Sequence, residues 1–315
     1  MFLLPFGVGG RFFIMPATPK DYLHLHFLVL IWGFTAILGR LVSIPAVELV
    51  FFRTLLAVPL LAVLCVFRRK SLRLDGRAAV RMLLTGVVIA LHWILFFAAA
   101  RVATVSVCLA GMATGSLWTS LLEPLLQRRP ARMLEIGLGL LAMAGLYVVF
   151  RFEFDHALGL GMAVASAALS ALFSVVNARF ATDYDAQVVT FYEMVGAFVA
   201  TALLLPVFAA FFYGGQPVNL APTATDWLWI LLLAWVCTVY AYSAAVWLLR
   251  KFSPFAINLT VNLEPVYGII LAVVVFGEKE QMTTGFYLGT LVILLSVLLY
   301  PLLNRLTTDK TRVAR

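Results

Sequence analysis

The sequence predicts an all-α polytopic membrane protein, with ten transmembrane helices arranged as two inverted five-helix repeats. Three observations carry that expectation. Of 315 residues, 63% are hydrophobic and only 12% charged, with a mean hydropathy of +1.02. A soluble domain carries about 25% charged residues, so this chain lacks the polar surface that water requires. Its apolar residues fall into ten stretches, each near the ~20 residues that cross a ~30 Å hydrocarbon core. Its 23 basic residues collect in alternate connections between those stretches, as the positive-inside bias demands. A soluble enzyme, a DNA-binding protein and a secreted disulfide scaffold are thereby excluded, and the bilayer is the first partner. The net charge of +8 reflects topology rather than a nucleic-acid partner.

The stretches are 22–41, 46–67, 79–100, 103–126, 132–151, 157–179, 187–212, 227–249, 253–276 and 281–303. Connections are short, the longest running from Gly214 to Thr225, so no soluble domain is inserted. The second connection carries Arg68, Arg69, Lys70, Arg73 and Arg77, with Arg81 just inside the next stretch, and this fixes it as cytoplasmic. Both termini are then cytoplasmic as well. On that topology 18 basic residues lie inside and four outside (Arg40, Arg101, Arg151, Lys279), with Arg53 within a span. Cys65, Cys108 and Cys237 each sit inside an apolar run and read as small packing residues. The segment Met1 to Ile14 lacks the basic start of a signal peptide. We expect Met15 to be the natural start, which N-terminal sequencing of the native product would test.

Five is an odd number of spans, so tandem five-span units lie in opposite orientations. An offset of 149 lays the third to fifth stretches on the eighth to tenth, pairing Arg101 with Arg250 and Met133 with Met282. Offsets of 139 and 140 pair Arg40 with Arg179, and Phe51-Phe52-Arg53 with Phe191-Tyr192-Glu193. Inverted repeats are how many secondary transporters build two gates around one central site.

The run Ser253-Pro254-Phe255-Ala256-Ile257-Asn258-Leu259-Thr260-Val261-Asn262-Leu263-Glu264-Pro265-Val266-Tyr267-Gly268, continuing to Phe276-Gly277-Glu278, resembles the ninth span of EamA-type carriers of the drug/metabolite transporter superfamily. Trp32-Gly33, Phe52-Arg53 and Tyr192-Glu193 fit the same pattern, and the resemblance covers roughly residues 25–302. It implies a five-plus-five inverted-repeat carrier with a central cavity, exporting amino acids, metabolites or drugs. The domains would be a tail 1–21, repeats 22–151 and 157–303, and a tail 304–315. The chain departs from the family pattern after the fourth span, where Arg128-Arg129 stands in place of a Gly-Glu pair.

Enzyme and receptor chemistries can be checked by position. Every lysine and every aspartate lies in a connection, a tail or a span end, so neither a retinal Schiff base nor an intramembrane aspartyl dyad is available. There is no Gly-Lys-Ser/Thr phosphate loop and no His-Glu-x-x-His zinc pair. The sequence therefore predicts no cofactor, no metal and no enzymatic activity, and transport that is passive or driven by a gradient.

The charges left inside spans mark where to look, because an ionised group at mid-bilayer costs at least about 2.5 kcal/mol and normally faces protein or a water-filled pathway. Arg53 and Glu193 occupy matching places in the second and seventh spans, at opposite depths. Each contacts substrate, gates one side, or braces a neighbouring helix. Glu264 precedes Pro265, which breaks the backbone ladder; it is a candidate proton or amine site, or else it satisfies groups freed at the break. Thr260, Glu264 and Gly268 share one face with Tyr267 beside them, and Asn258 with Asn262 forms a second polar face. One of these faces lines the cavity and the other packs. His92 titrates near neutral pH in its free form and is followed by Trp93, matched at the 149 offset by Ala241 and Tyr242. Trp32, Phe34, Tyr192, Tyr240 and Tyr242 offer aromatic surface for an amphipathic ligand. Ser166, Ser170 and Ser174 step along the sixth span to Asn177, a small-residue stripe whose end reaches the cavity. Gly285 with Gly289, and Gly196 with Ala200, are packing pairs.

The function this predicts is an inner-membrane secondary transporter, exporting a small amphipathic metabolite such as an amino acid by alternating access, with proton coupling through Glu264, Glu193 or His92. The rival is a receptor or scaffold of the same fold that binds without moving solute.

Overall fold

A computed structural model describes residues 15–152, 154–211, 218–277 and 282–313. The expectations placed on Met1–Ile14, Gly214, Glu278 and Lys279 lie outside these residues. The described chain is helical throughout its ordered elements. In order these are α1 (Pro19–Leu41), α2 (Ala46–Phe67), α3 (Gly76–Val102), α4 (Val105–Met112), α5 (Gly115–Gln127), α6 (Met133–Phe152), α7 (Ala157–Asp183) and α8 (Ala186–Phe211). After them come α9 (Ala224–Ala234), a π-helical turn (Trp235–Tyr240), α10 (Ala241–Leu248), α11 (Pro254–Val261), α12 (Glu264–Phe276) and α13 (Thr284–Val313). Eight continuous or jointed helices among the described residues are long and apolar enough to cross a membrane, and the shorter apolar helices Met133–Val148 and Thr284–Tyr300 pack on each other.

Helix starts follow from local chemistry. Thr104 Oγ accepts the Val107 N–H at the head of α4, and Ser253 Oγ accepts the Ala256 N–H at the head of α11, each satisfying a donor that the first turn leaves free. These two caps are 149 residues apart in the chain, the offset that pairs Arg101 with Arg250. The fourth and ninth stretches are each jointed, the ninth beside the break expected at Pro265 and the fourth where none was expected: α4 gives way to α5 at Ala113–Thr114, and α11 to α12 at Asn262–Leu263. Pro265 explains the second joint, since it has no N–H to continue the ladder. The first joint has no proline; Thr114 closes it by donating to the Gly111 carbonyl at 2.8 Å. A further departure is the π turn inside the eighth stretch. Another is α13, which stays helical to Val313, beyond the expected boundary at 303.

The jointed helices run against each other in opposite directions. Glu123 accepts the Phe255 N–H at 3.1 Å, Asn258 donates to Thr119 at 2.8 Å, and Asn262 to Ser116 at 2.9 Å. Beyond the joints, Leu109 fills the space over Gly268. Numbers rise along one helix as they fall along the other, so α5 packs on α11 and α4 on α12. Elsewhere small residues set the spacing. Gly86 of α3 and Gly196 of α8 lie against the backbone carbonyls of Glu193 and Leu83, leaving no room for a Cβ on either. The Gly289 carbonyl abuts Gly145 in the contact between α13 and α6. Ala163, Ser166, Ala167 and Ala171 of α7 are all buried, and this face receives α3 and α4.

Candidate functional site

Around the joint of α11 and α12 the helices leave a cavity of about 110 Å³. Its walls are Trp32 and Thr35 of α1, Arg53 of α2, His92, Trp93 and Phe96 of α3, and Met112 of α4. Ser170, Phe173, Ser174 and Asn177 of α7, Cys237 of the π turn, Tyr242, Ala245 and Val246 of α10, Leu249 just after it, and Ile257, Asn258, Val261 and Glu264 complete it. Aromatic and aliphatic surface dominates, with a few polar groups converging on it.

Arg53 is 1% exposed. Its Nε donates to Thr238 Oγ1 at 2.6 Å, and its guanidinium carbon stands 3.9 Å over the Trp93 ring. Thr238 is held in turn by donating to the Leu233 carbonyl at 2.8 Å, an i to i−5 contact that belongs to the π turn. Such turns widen the helix by one residue and frequently mark functional sites.

His92 Nδ1 lies 2.9 Å from the Ser166 carbonyl oxygen. A carbonyl only accepts, so Nδ1 carries a hydrogen in this contact. The Ser166 hydroxyl completes the contact by donating to the His92 carbonyl at 2.9 Å. The ring is packed edge-on against Phe173, with centroids 5.4 Å apart.

Glu193 is fully buried beside the cavity rather than on its wall. Asn177 Nδ2 donates to it at 3.4 Å and to the Tyr242 hydroxyl at 2.8 Å, and Tyr242 is itself hydrogen-bonded to the Glu193 carboxyl. Glu264 is 5% exposed, faces the cavity, and makes no hydrogen bond or ion pair with any described residue.

Of the sequence candidates, Trp32, Arg53, His92, Trp93, Asn177, Tyr242, Asn258 and Glu264 therefore meet at one cavity, with Glu193 joined to it through Asn177 and Tyr242. The others lie elsewhere. Asn262 is consumed by its bond to Ser116, which identifies the asparagine face as mainly a packing face. Tyr192 donates to the Leu72 carbonyl at 2.6 Å, at the α2–α3 connection. Tyr240 is 43% exposed and pairs with His24 at 3.0 Å, while Phe34 is 40% exposed. Tyr267 packs at the crossing of Gly33 and Gly268. One or two positions around a helix separate these residues from cavity-facing neighbours. Phe34 follows Trp32 by two residues and Tyr240 precedes Tyr242 by two, a rotation of about 200°. Thr238 and Thr35 were missed. A threonine inside an apolar run was the available signal, and nothing in the sequence announces the π turn.

A model of the EamA-like transporter family matches residues 22–151 and again 157–301. A solved structure known only as a crystal structure of a protein superposes with a TM-score of 0.67 over 91% of this chain and 99% of its own, at 18% identity, which establishes a shared fold. No curated protein matches the sequence. With the family pattern present in both halves and covering most of its length, the chain belongs to the EamA-like transporter family, and so to the membrane transporters of the drug/metabolite superfamily.

Proposed function

We propose that this protein is a secondary transporter that exports small amphipathic metabolites, amino acids among them, by alternating access at the cavity. The carrying observation is an aromatic-walled cavity holding the unpartnered carboxyl of Glu264 at the joint of a broken helix. Broken helices whose ends meet at midplane are a recurrent way to build a transporter site. The ten-span, inverted-repeat topology is part of this reading. It is supported by the antiparallel pairing of the two jointed helices and by caps and joints spaced 149 residues apart. The two shorter apolar helices supply the fifth and tenth spans. Both termini are cytoplasmic in the inner membrane, and protons drive the cycle through Glu264, with Glu193 and His92 as the other titratable groups near the solute.

The test is uptake and counterflow in proteoliposomes. Counterflow of an amphipathic solute, accelerated by an imposed pH gradient and made insensitive to that gradient by Glu264→Gln, is the expected result. Binding without any counterflow would mean a receptor or scaffold. Counterflow indifferent to pH would remove proton coupling, and an unaltered Glu264→Gln variant would remove that residue's role.

A further inference from the structure

We propose that Arg53 is the docking point for a carboxylate on the cavity's ligand, and that Thr238 of the π turn is the positioning residue that aims it. This rests on the reading that the cavity receives a solute, and adds the chemical group that the solute must carry.

The guanidinium is nearly enclosed, yet only part of it is engaged. One face is covered by the Trp93 indole, with Phe97 further off at 5.8 Å. Nε is used by Thr238. Nη1 is buried and has no hydrogen-bond partner, and no ion pair among the described residues includes Arg53. A buried cation without a counter-charge is strongly unfavourable, and arginine does not escape it by losing its proton. The nearby carboxyls do not supply the missing charge: Glu193 is tied to Asn177 and Tyr242, and Glu264 stands on α12 without forming a pair.

What remains unpartnered is the Nη edge of a flat donor fork on a residue that lines the cavity. That edge fits two coplanar oxygens, the bidentate pairing that guanidinium makes with carboxylate. The surrounding Trp32, Phe96 and Phe173 suit an apolar or aromatic body behind that group. Thr238 fixes the direction of the fork. Its hydrogen is spent on the Leu233 carbonyl, so its oxygen can only accept, and the acceptor faces Nε. The π turn thus converts a helix irregularity into orientation of a charged side chain.

Purified protein titrated with 3-phenylpropionate, 3-phenylpropionamide and sodium chloride tests this, reading the thermal midpoint and calorimetric affinity. The carboxylate is expected to raise the midpoint, with the amide and chloride leaving it in place. Arg53→Lys is expected to weaken carboxylate binding by at least ~10-fold, because an ammonium cannot pair bidentately. Thr238→Val is expected to weaken it several-fold and to narrow the preference for carboxylate over amide, and Thr238→Ser to restore both. If Arg53→Lys does not fold, the Thr238 pair decides alone. Equal stabilisation by the amide, stabilisation by chloride alone, or a Thr238→Val variant with unchanged preference would overturn the proposal. The two readings fail separately. Counterflow of other solutes without carboxylate binding removes this site and keeps transport, whereas carboxylate binding without any counterflow keeps the site and removes transport.

Discussion

The connection between α1 and α2 and the connection between α7 and α8 occupy matching places in the two halves, and they are closed differently. Each is clamped by an arginine from the other matching pair. Arg101 donates to the Gly39 and Val42 carbonyls at 3.0 and 3.2 Å, and Arg250 to the Ala181 and Tyr184 carbonyls at 2.6 and 2.8 Å. These bonds satisfy carbonyls that a helix end leaves free. Beyond the clamp the likeness ends. At the first connection, Asp226 is 2% exposed and accepts from Ser43 N and Oγ at 2.7 and 2.6 Å, and from Thr223 N and Oγ at 2.9 Å each. At the second, the Tyr184 hydroxyl reaches an exposed Asp75 at 3.4 Å, helped by a solvent-screened Lys70–Asp185 pair. Surface pairs of that kind contribute little. The comparison teaches that the helix-end clamp is common to both halves, while the latch that each of these two connections itself makes across the halves is strong at the first and weak at the second, whose end is also joined by Tyr192 to the Leu72 carbonyl and by the Asp21–Lys251 pair. In the proposed topology the strong latch is on the outside.

The largest departure is expected when the strong latch is cut. Asp226→Ala strands four donors, two of them backbone, and should destabilise the protein by about 3 kcal/mol on the scale of charged hydrogen bonds, read as a lowered unfolding midpoint in detergent. Ser43→Ala removes one of the four contacts and should cost about 1 kcal/mol. A Ser43→Ala effect as large as that of Asp226→Ala would show that the serine, not the carboxylate, organises this end.

Asp75 offers a smaller effect with a distinct pH signature. Backbone hydrogen bonds from Ala78 and Arg77 hold its carboxyl below the ordinary aspartate value. A depressed carboxylate stabilises the fold above the unfolded pKa of about 3.9 and loses that contribution as pH falls below it. The midpoints of the parent and Asp75→Asn should therefore differ at neutral pH and converge in acid. Smallest of all, Tyr184→Phe should leave the midpoint unchanged within error. A clear loss would mean that the weak latch is stronger than its 3.4 Å contact allows.

Much of the helix layout was legible because a bilayer makes length and apolarity sufficient signals. The stretch read at 46–67 is the helix Ala46–Phe67. Facing was harder to read. In a soluble helix the polar side announces the outside, but here lipid-facing and protein-facing surfaces are both apolar. Tyr240 and Tyr242 therefore looked alike although one meets lipid-depth surface and the other Asn177. The joint at Pro265 could be read from proline chemistry, whereas its counterpart at Ala113–Thr114 could not, having only glycines nearby and no missing donor. The rare charges were the most informative residues: Arg53 and Glu264 stood out by cost alone, and both reach the cavity.

In the proposed alternating-access cycle, the strong latch must part at every turn. Ser43→Cys with Asp226→Cys, bridged by a short bis-methanethiosulfonate that forms a disulfide with each thiol, tests this directly in proteoliposomes. Counterflow should stop on cross-linking, return with reductant, and leave ligand binding to the detergent-purified protein intact. Undiminished counterflow through the cross-linked protein would contradict the account.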